Sequence, residues 1–586
     1  MADAKKKEEP TKPTPEEKLA AAEAEVDALV KKGLKALDEF EKLDQKQVDH
    51  IVAKASVAAL NKHLVLAKMA VEETHRGLVE DKATKNIFAC EHVTNYLAGQ
   101  KTVGIIREDD VLGIDEIAEP VGVVAGVTPV TNPTSTAIFK SLIALKTRCP
   151  IIFGFHPGAQ NCSVAAAKIV RDAAIAAGAP ENCIQWIEHP SIEATGALMK
   201  HDGVATILAT GGPGMVKAAY SSGKPALGVG AGNAPAYVDT DVDIVRAAND
   251  LILSKHFDYG MICATEQAII ADKDIYAPLV KELKRRKAYF VNADEKAKLG
   301  ENEPLTMEKL APVQAVLKSD NKEQAFEMCE AMLKHGAGHT AAIHTNDRDL
   351  VREYGQRMHA CRIIWNSPSS LGGVGDIYNA IAPSLTLGCG SYGGNSVSGN
   401  VQAVNLINIK RIARRNNNMQ WFKIPAKTYF EPNAIKYLRD MYGIEKAVIV
   451  CDKVMEQLGI VDKIIDQLRA RSNRVTFRII DYVEPMDASK IMWLLYEHPE
   501  ISFSDVREKF FDIRKRAFKI PPLGKKAKLV CIPTSSGTGS EVTPFAVITD
   551  HKTGYKYPIT DYALTPSVAI VDPVLARTQP RKLASD

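Results

Sequence analysis

The run HFDYGMICATEQAII, residues 256–270, contains one side chain able to act as a strong nucleophile, Cys263. Gly260, Met261 and Ile262 precede it, Ala264 and Thr265 follow it, and a strand-like apolar stretch comes next. Small neighbours let a carbonyl carbon come close to the thiol. The chemistry open to such a group is covalent attack on that carbonyl, ending in a thioester. The competing reading is a buried apolar cysteine, which is how most cysteines behave. Asn132, in GVTPVTNPTST (126–136), stands directly before Pro133, and from the residues alone it reads as a loop cap.

ATGGPGMV (209–216), with Gly211, Gly212 and Gly214, follows the apolar run VATILAT and leads into a helical pattern. A turn of this kind brings backbone N–H groups and a helix N-terminus toward a dinucleotide phosphate, although many such turns are only turns. A literal G-x-G-x-x-G occurs at Gly388, Gly390 and Gly393, outside any βαβ pattern, and reads as a loop.

The elements that must position these groups alternate. From Pro120 to about Leu253, the apolar runs VGVVAGV, PIIFGF, CIQWI, VATILAT and PAYV are separated by Ala-rich helical segments such as CSVAAAKIVRDAAIAAG. Runs apolar throughout predict an α/β fold with a parallel sheet covered on both faces. A second α/β pattern covers roughly Ser254 to Gln420, and RRNNNMQWFKIPAK reads as a linker. Upstream, Pro15–Ala89 repeats apolar positions three and four apart without sustained heptads, which predicts helices packed on a larger domain rather than a coiled coil. The expected division is a disordered tail (1–14), a nucleotide-binding domain (15–253), a catalytic domain (254–410), a linker (411–427) and a second α/β unit (428–586).

Bulk properties narrow the class. With 46% hydrophobic and 25% charged residues the chain can bury large cores, and a net charge of +3 gives no reason to expect nucleic acid or an anionic membrane as partner. Ten scattered cysteines without CxxC or zinc-ligand spacing suggest reduced thiols in a cytosol. No secretory h-region and no bilayer-length apolar run occurs, so a cytoplasmic protein is expected.

Taken together, these segments resemble the aldehyde dehydrogenase superfamily, and most closely its CoA-acylating branch. The resemblance implies that Asn132 forms an oxyanion hole with the Cys263 backbone N–H, and that Thr128 and Pro129 lie at the cofactor. It implies that FHPGAQ (155–160), with His156 and Gly158, holds the adenosine ribose, and that Glu308 in MEKLAPV (307–313) holds the nicotinamide ribose. His339 in GHTAAIHTND matches a histidine near the cysteine in that branch, although a lone histidine is usually structural. One residue is conspicuous by its absence. Where hydrolytic members carry a glutamate that activates water, this chain reads LGVGAGNAP, with no carboxylate from Leu227 to Pro235. The expectation is therefore that the acyl group leaves on CoA, or arrives from it, with NAD as the cofactor.

From about Lys423 the chain resembles the start of the iron-dependent alcohol dehydrogenases, through YFEPNAI (429–435), MDASK (486–490) and CIPTSSGTGSEVTPFAVITD (531–550). Thr534, Ser535, Thr538 and Ser540 suit a loop wrapping a cofactor, or else a plain Ser/Gly loop. Both halves in this order resemble the bifunctional aldehyde–alcohol dehydrogenases, which implies a homo-oligomer able to form helical filaments, in fermentative ethanol metabolism. Three departures stand out: AYFVNADEKAKLGENEPLTMEKL reads like a splice near Leu299, no Gly run precedes MDASK, and the chain ends at Asp586 without the Asp and His ligands expected for Fe²⁺, so no metal residue is assigned. The alternatives are a filament-forming scaffold and an ordinary hydrolytic aldehyde dehydrogenase.

Overall fold

The computed structural model describes residues 14–292, 295, 307–336, 338–415, 423–471, 474–507 and 517–579. Residues 1–13 of the tail expected over 1–14, and the splice expected near Leu299, lie outside the described residues, whereas Thr14 is described and caps a helix. Two compact units divide at Asn416/Asn417, inside the span expected as linker.

Unit one opens with helices α1 (Pro15–Phe40), α2 (Gln45–Leu60), α3 (His63–Thr74) and α4 (Val79–Ala98). Thr14 starts α1: its hydroxyl accepts the Glu17 N–H while the Glu17 carboxylate accepts the Thr14 N–H. Ala22, Val26, Val30 and Gly33 then form one buried face. A Cβ at Gly33 would stand 3.4 Å from Val123, so α1 lies on the sheet that contains Val123, as helices packed on a domain should.

The antiparallel pair β1 (Gly104–Asp109) and β2 (Ile114–Pro120) comes next. A fully parallel sheet follows in the order β5-β4-β3-β6-β7, built from β3 (Val123–Val127), β4 (Ile151–Gly154), β5 (Ile184–Trp186), β6 (Val204–Thr210) and β7 (Ala226–Val229). Every residue of β3, β4 and β7 is buried, which is why these runs carry no polar alternation. Strand order reverses direction between β3 and β6, and a crevice at the carboxyl ends of such a pair is where open α/β sheets bind ligands. Helix α5 (Pro133–Lys146) is buried along its whole length. From it Lys140 Nζ donates to the Val127 carbonyl at 2.5 Å and the Leu208 carbonyl at 2.8 Å, tying β3 to β6.

A second parallel sheet runs β10-β9-β8-β11-β12, from β8 (Ala234–Val238), β9 (Glu266–Asp272), β10 (Ala315–Ser319), β11 (Ala341–His344) and β12 (Ile363–Trp365). It begins at Ala234, ahead of the boundary expected at residue 253, because PAYV pairs with β9 and β11 and not with β7. Strand β13 (Ile407–Ala413) pairs with β2, so regular structure also extends into the start of the expected linker.

Unit two holds a parallel sheet in the order β14-β20-β17, from β14 (Lys427–Phe430), β17 (Val530–Cys531) and β20 (Val568–Val571). It also holds a parallel pair, β15 (Lys446–Cys451) with β16 (Thr476–Asp481), and a hairpin, β18 (Phe545–Asp550) with β19 (Tyr555–Thr560). MDASK lies in the helix Pro485–Glu497. Among the described residues no helix is long and apolar enough to cross a membrane.

Candidate active site

Cys263 lies in a tight turn that feeds β9, closed by the Thr265 N–H donating to the Ile262 carbonyl at 3.0 Å. Met261, Ile262, Ala264 and Thr265 are all buried around it, while the cysteine itself is half-buried. Burial pushes its thiol up to about 12, and the Glu308 carboxyl adds to the rise while Arg362 opposes it. The resting side chain is a thiol.

Asn132 precedes α5, and its side chain does not cap that helix. Its Nδ2 donates to the Met261 carbonyl at 3.2 Å and its Oδ1 accepts from Lys85 Nζ at 2.6 Å. The amide is thus committed to the turn that carries the cysteine, two residues from it in sequence, and the loop-capping role does not hold.

Gly232 joins three further groups. A Cβ there would come within 2.1 Å of the Cys263 carbonyl oxygen and 3.1 Å of the His339 ring, so only glycine admits this approach. Its N–H donates to Glu308 Oε1 at 3.2 Å. Burial raises the Glu308 carboxyl to about 7, against the pull of the Gly232 N–H and Lys255. His339 is fully buried, with Nδ1 against the Thr340 hydroxyl at 2.8 Å and no hydrogen-bond partner at Nε2 among the described residues. Burial and then Arg362 hold it well below the usual histidine range, so it is neutral.

The remaining candidates of unit one gather at the carboxyl edge of the first sheet. Thr128 and Pro129 follow β3, His156 and Gly158 follow β4, and Gly211, Gly212 and Gly214 follow β6. The Thr128 hydroxyl is buried without a hydrogen-bond partner among the described residues. A Cβ at Gly212 or Gly214 would meet nothing within 4 Å, leaving the start of helix α6 (Pro213–Tyr220) open. His156 turns inward on its own loop, where Nδ1 accepts the Gly158 N–H at 3.0 Å. An orphaned hydroxyl beside an open helix N-terminus fits a dinucleotide. Gly388, Gly390 and Gly393 lie in a loop folded back on Val397 and Gly399, as expected for a run outside a βαβ unit.

In unit two, Thr534, Ser535, Thr538 and Ser540 occupy the loop after β17, where the Ser540 N–H reaches the Thr538 hydroxyl at 3.4 Å. His498 pairs with Glu500 at 2.9 Å and His551 lies in an exposed turn. No group of three or more His, Cys, Asp or Glu that would hold a metal stands together among the described residues. Among the described residues these donors do not make an iron site.

Lys82, Lys85 and Asp258 form a buried charged group beside Asn132 that sequence reasoning missed. A signal existed. Lys82, Lys85, Ala89, Val93 and Leu97 fall on one helical stripe of α4, so the two lysines occupy positions otherwise apolar.

Two parallel sheets, a crevice at a strand-order reversal and an asparagine amide bonded to the turn that carries a cysteine are the features expected of an aldehyde dehydrogenase unit. The model of the aldehyde dehydrogenase family matches residues 2–301, and that of the iron-containing alcohol dehydrogenases matches residues 483–573. Aldehyde-alcohol dehydrogenase 2 of Entamoeba histolytica is 55% identical, covering 96% of this chain and 74% of that one. The aldehyde-alcohol dehydrogenase of Streptococcus pneumoniae is also 55% identical, covering 98% and 74%. Its alignment runs over 657 positions against 586 residues here, so it carries residues without a counterpart in this chain. Among solved structures, an acetylating aldehyde dehydrogenase from Geobacillus thermoglucosidasius is 42% identical with a TM-score of 0.67, covering 69% of this chain and 99% of that one. The chain belongs to the bifunctional aldehyde–alcohol dehydrogenase family.

Proposed function

We propose that unit one interconverts acetyl-CoA and acetaldehyde through a thioester on Cys263, and that unit two serves the step between aldehyde and alcohol. The observation that carries this reading is the stretch Leu227–Pro235, which lies against the Cys263 carbonyl at Gly232 yet brings no carboxylate of its own. Water is a poor nucleophile toward a thioester without a base, whereas a CoA thiol needs far less help.

Cys263 attacks the carbonyl carbon of acetyl-CoA, its thiol proton passes through a neighbouring base to the departing CoA sulfur, and the acetyl group remains on Cys263 as a thioester. Neutral His339, with Nε2 free, is assigned that role. The Asn132 Nδ2 and the Cys263 backbone N–H hold the oxygen on which charge develops. Thr128, Pro129, His156, Gly158 and the Gly211–Gly214 turn hold NAD(H), and Glu308 holds its nicotinamide ribose. When bound, the dinucleotide supplies or accepts the hydride. Thr534, Ser535, Thr538 and Ser540 are assigned to the cofactor of unit two. We place residues 15–253 and 254–410, adjusted for β8, as the nucleotide-binding and catalytic parts of unit one, and the chain in cytoplasmic fermentative ethanol metabolism as a homo-oligomer capable of helical filaments.

One observation favours a hydrolytic reading: Glu308 brings a carboxyl at about 7 to the Gly232 N–H, from a distant segment. Turnover with acetaldehyde and NAD separates the two. Without CoA the proposal expects a single-turnover burst of NADH, and sustained turnover only once CoA is added. Steady acetate formation without CoA, abolished in Glu308→Gln, would establish the hydrolytic reading instead.

A further inference from the structure

We infer that Lys85 is a positioning residue for Asn132, held between the buried Asp258 carboxylate and Asn132 Oδ1 so that the amide N–H₂ faces the Cys263 turn. The inference rests on the reading of Asn132 as donor to the carbonyl oxygen.

An asparagine amide can present either of its two ends to a site, and nothing in its shape chooses between them. A lysine ammonium has donors only, so the end that meets it must be the oxygen. Lys85 Nζ stands 2.6 Å from Asn132 Oδ1. The nitrogen is thereby turned to the Met261 carbonyl at 3.2 Å, on the turn that carries the nucleophile.

Lys85 is itself fixed from behind. Its Nζ forms an ion pair with Asp258 Oδ2, and Lys82 Nζ reaches the same oxygen at 3.1 Å. All three side chains are at most 4% exposed. Burial draws the Lys85 ammonium down to about 8, with Asp258 opposing the fall. The Leu78 N–H donates to Asp258 Oδ1 at 2.8 Å, and the Asp258 N–H donates to Asp81 at 2.7 Å. Gly77, at φ +75°, leaves room for the carboxylate, since a Cβ there would lie 1.9 Å from it.

The same aspartate also sets the approach to the nucleophile. Asp258, Tyr259 and Gly260 are consecutive left-handed residues, at φ +47°, +54° and +73°, an arrangement that persists only where its surroundings impose it. One side chain therefore ties both the cysteine's turn and, through Lys85, the orientation of the amide across from it. A buried charge cluster adds little to stability compared with apolar packing of the same volume, which agrees with a geometric task.

The test is steady-state reduction of acetyl-CoA by NADH on the full chain, comparing Asn132→Ala, Lys85→Met, Lys85→Arg and the double variant Lys85→Met/Asn132→Ala. Asn132→Ala is expected to lower kcat by about 100-fold or more, as for loss of one oxyanion donor. Lys85→Met should lose a comparable factor in kcat with little change in KM for acetyl-CoA. The double variant should fall no lower than Asn132→Ala, because both changes remove one interaction. Lys85→Arg keeps a donor-only cation and should retain most of the turnover. If Lys85→Met loses its folded circular dichroism spectrum, Lys85→Gln replaces it in the cycle. Normal turnover in Asn132→Ala overturns the donor role of Asn132. Loss in Asn132→Ala with normal turnover in Lys85→Met, multiplying losses in the double variant, or equal damage by Arg and Met at position 85 overturns the inference.

Discussion

Alkylation of Cys263 by iodoacetamide reads the electrostatics of the site directly. Burial sets the thiol at about 12, where an unburied one would stand near 9.0. At pH 7.5 the ordinary thiol is about 3% thiolate and the Cys263 thiol about 0.003%, a factor of about 1,000 in the reactive species. The rate for the peptide carrying Cys263, followed by mass spectrometry and referred to the same peptide in denatured chain, should be lower by that order. It should climb about tenfold per pH unit through pH 9 without a plateau. Glu308, raised to about 7, is mostly ionised at pH 8 and contributes to holding the thiol protonated. Glu308→Gln should therefore speed alkylation at pH 8 and have less effect at pH 6, where the carboxyl is already neutral. A native rate within tenfold of the denatured reference, or a plateau below pH 9, would refute the account of a protonated resting thiol.

Lys140→Met strips the Val127 and Leu208 carbonyls of their shared donor, and about 1–3 kcal/mol per unsatisfied group should appear as easier proteolysis in urea and weaker NADH binding; unchanged values would contradict the tie between β3 and β6. Glu266 is fully buried, and burial lifts its carboxyl from 4.5 to about 7. A carboxyl raised in the folded state stabilises fully below its unfolded value and loses that contribution as pH rises through 7, by about 3 kcal/mol for a shift of this size. Glu266→Gln, which keeps an oxygen for the Ser369 N–H, should flatten the fall of the thermal midpoint between pH 5 and 8, leaving the part due to Glu308. An undiminished fall would show that Glu266 is not its source.

The parallel sheets were readable because strands buried on both faces lose polar alternation, and VGVVAGV and PIIFGF show it plainly. The second sheet begins ahead of residue 253 for a physical reason. PAYV looks locally like the strands before it, and its place is decided by pairing with Ile269 and Ala342, far along the chain. Cys263 stood out by its small neighbours, whereas His339 was picked out by the resemblance alone, since nothing in its local run shows that its ring abuts Gly232. Lys85 and Lys140 were hidden because a lysine reads as solvated until the fold supplies its carboxylate or carbonyls. Asn132 was legible as a candidate, but the choice between cap and donor needed Met261 and Lys85 on its two ends.

In the proposed chemistry CoA, and not water, discharges the thioester on Cys263. Incubating the chain with acetyl-CoA in the absence of NADH and mapping the peptides tests it most directly. The account predicts an acetyl group on the peptide carrying Cys263, absent in Cys263→Ser, stable in buffer and removed when CoA is added. Acetylation at another cysteine, none at all, or loss of the group in buffer as fast as with CoA would contradict it.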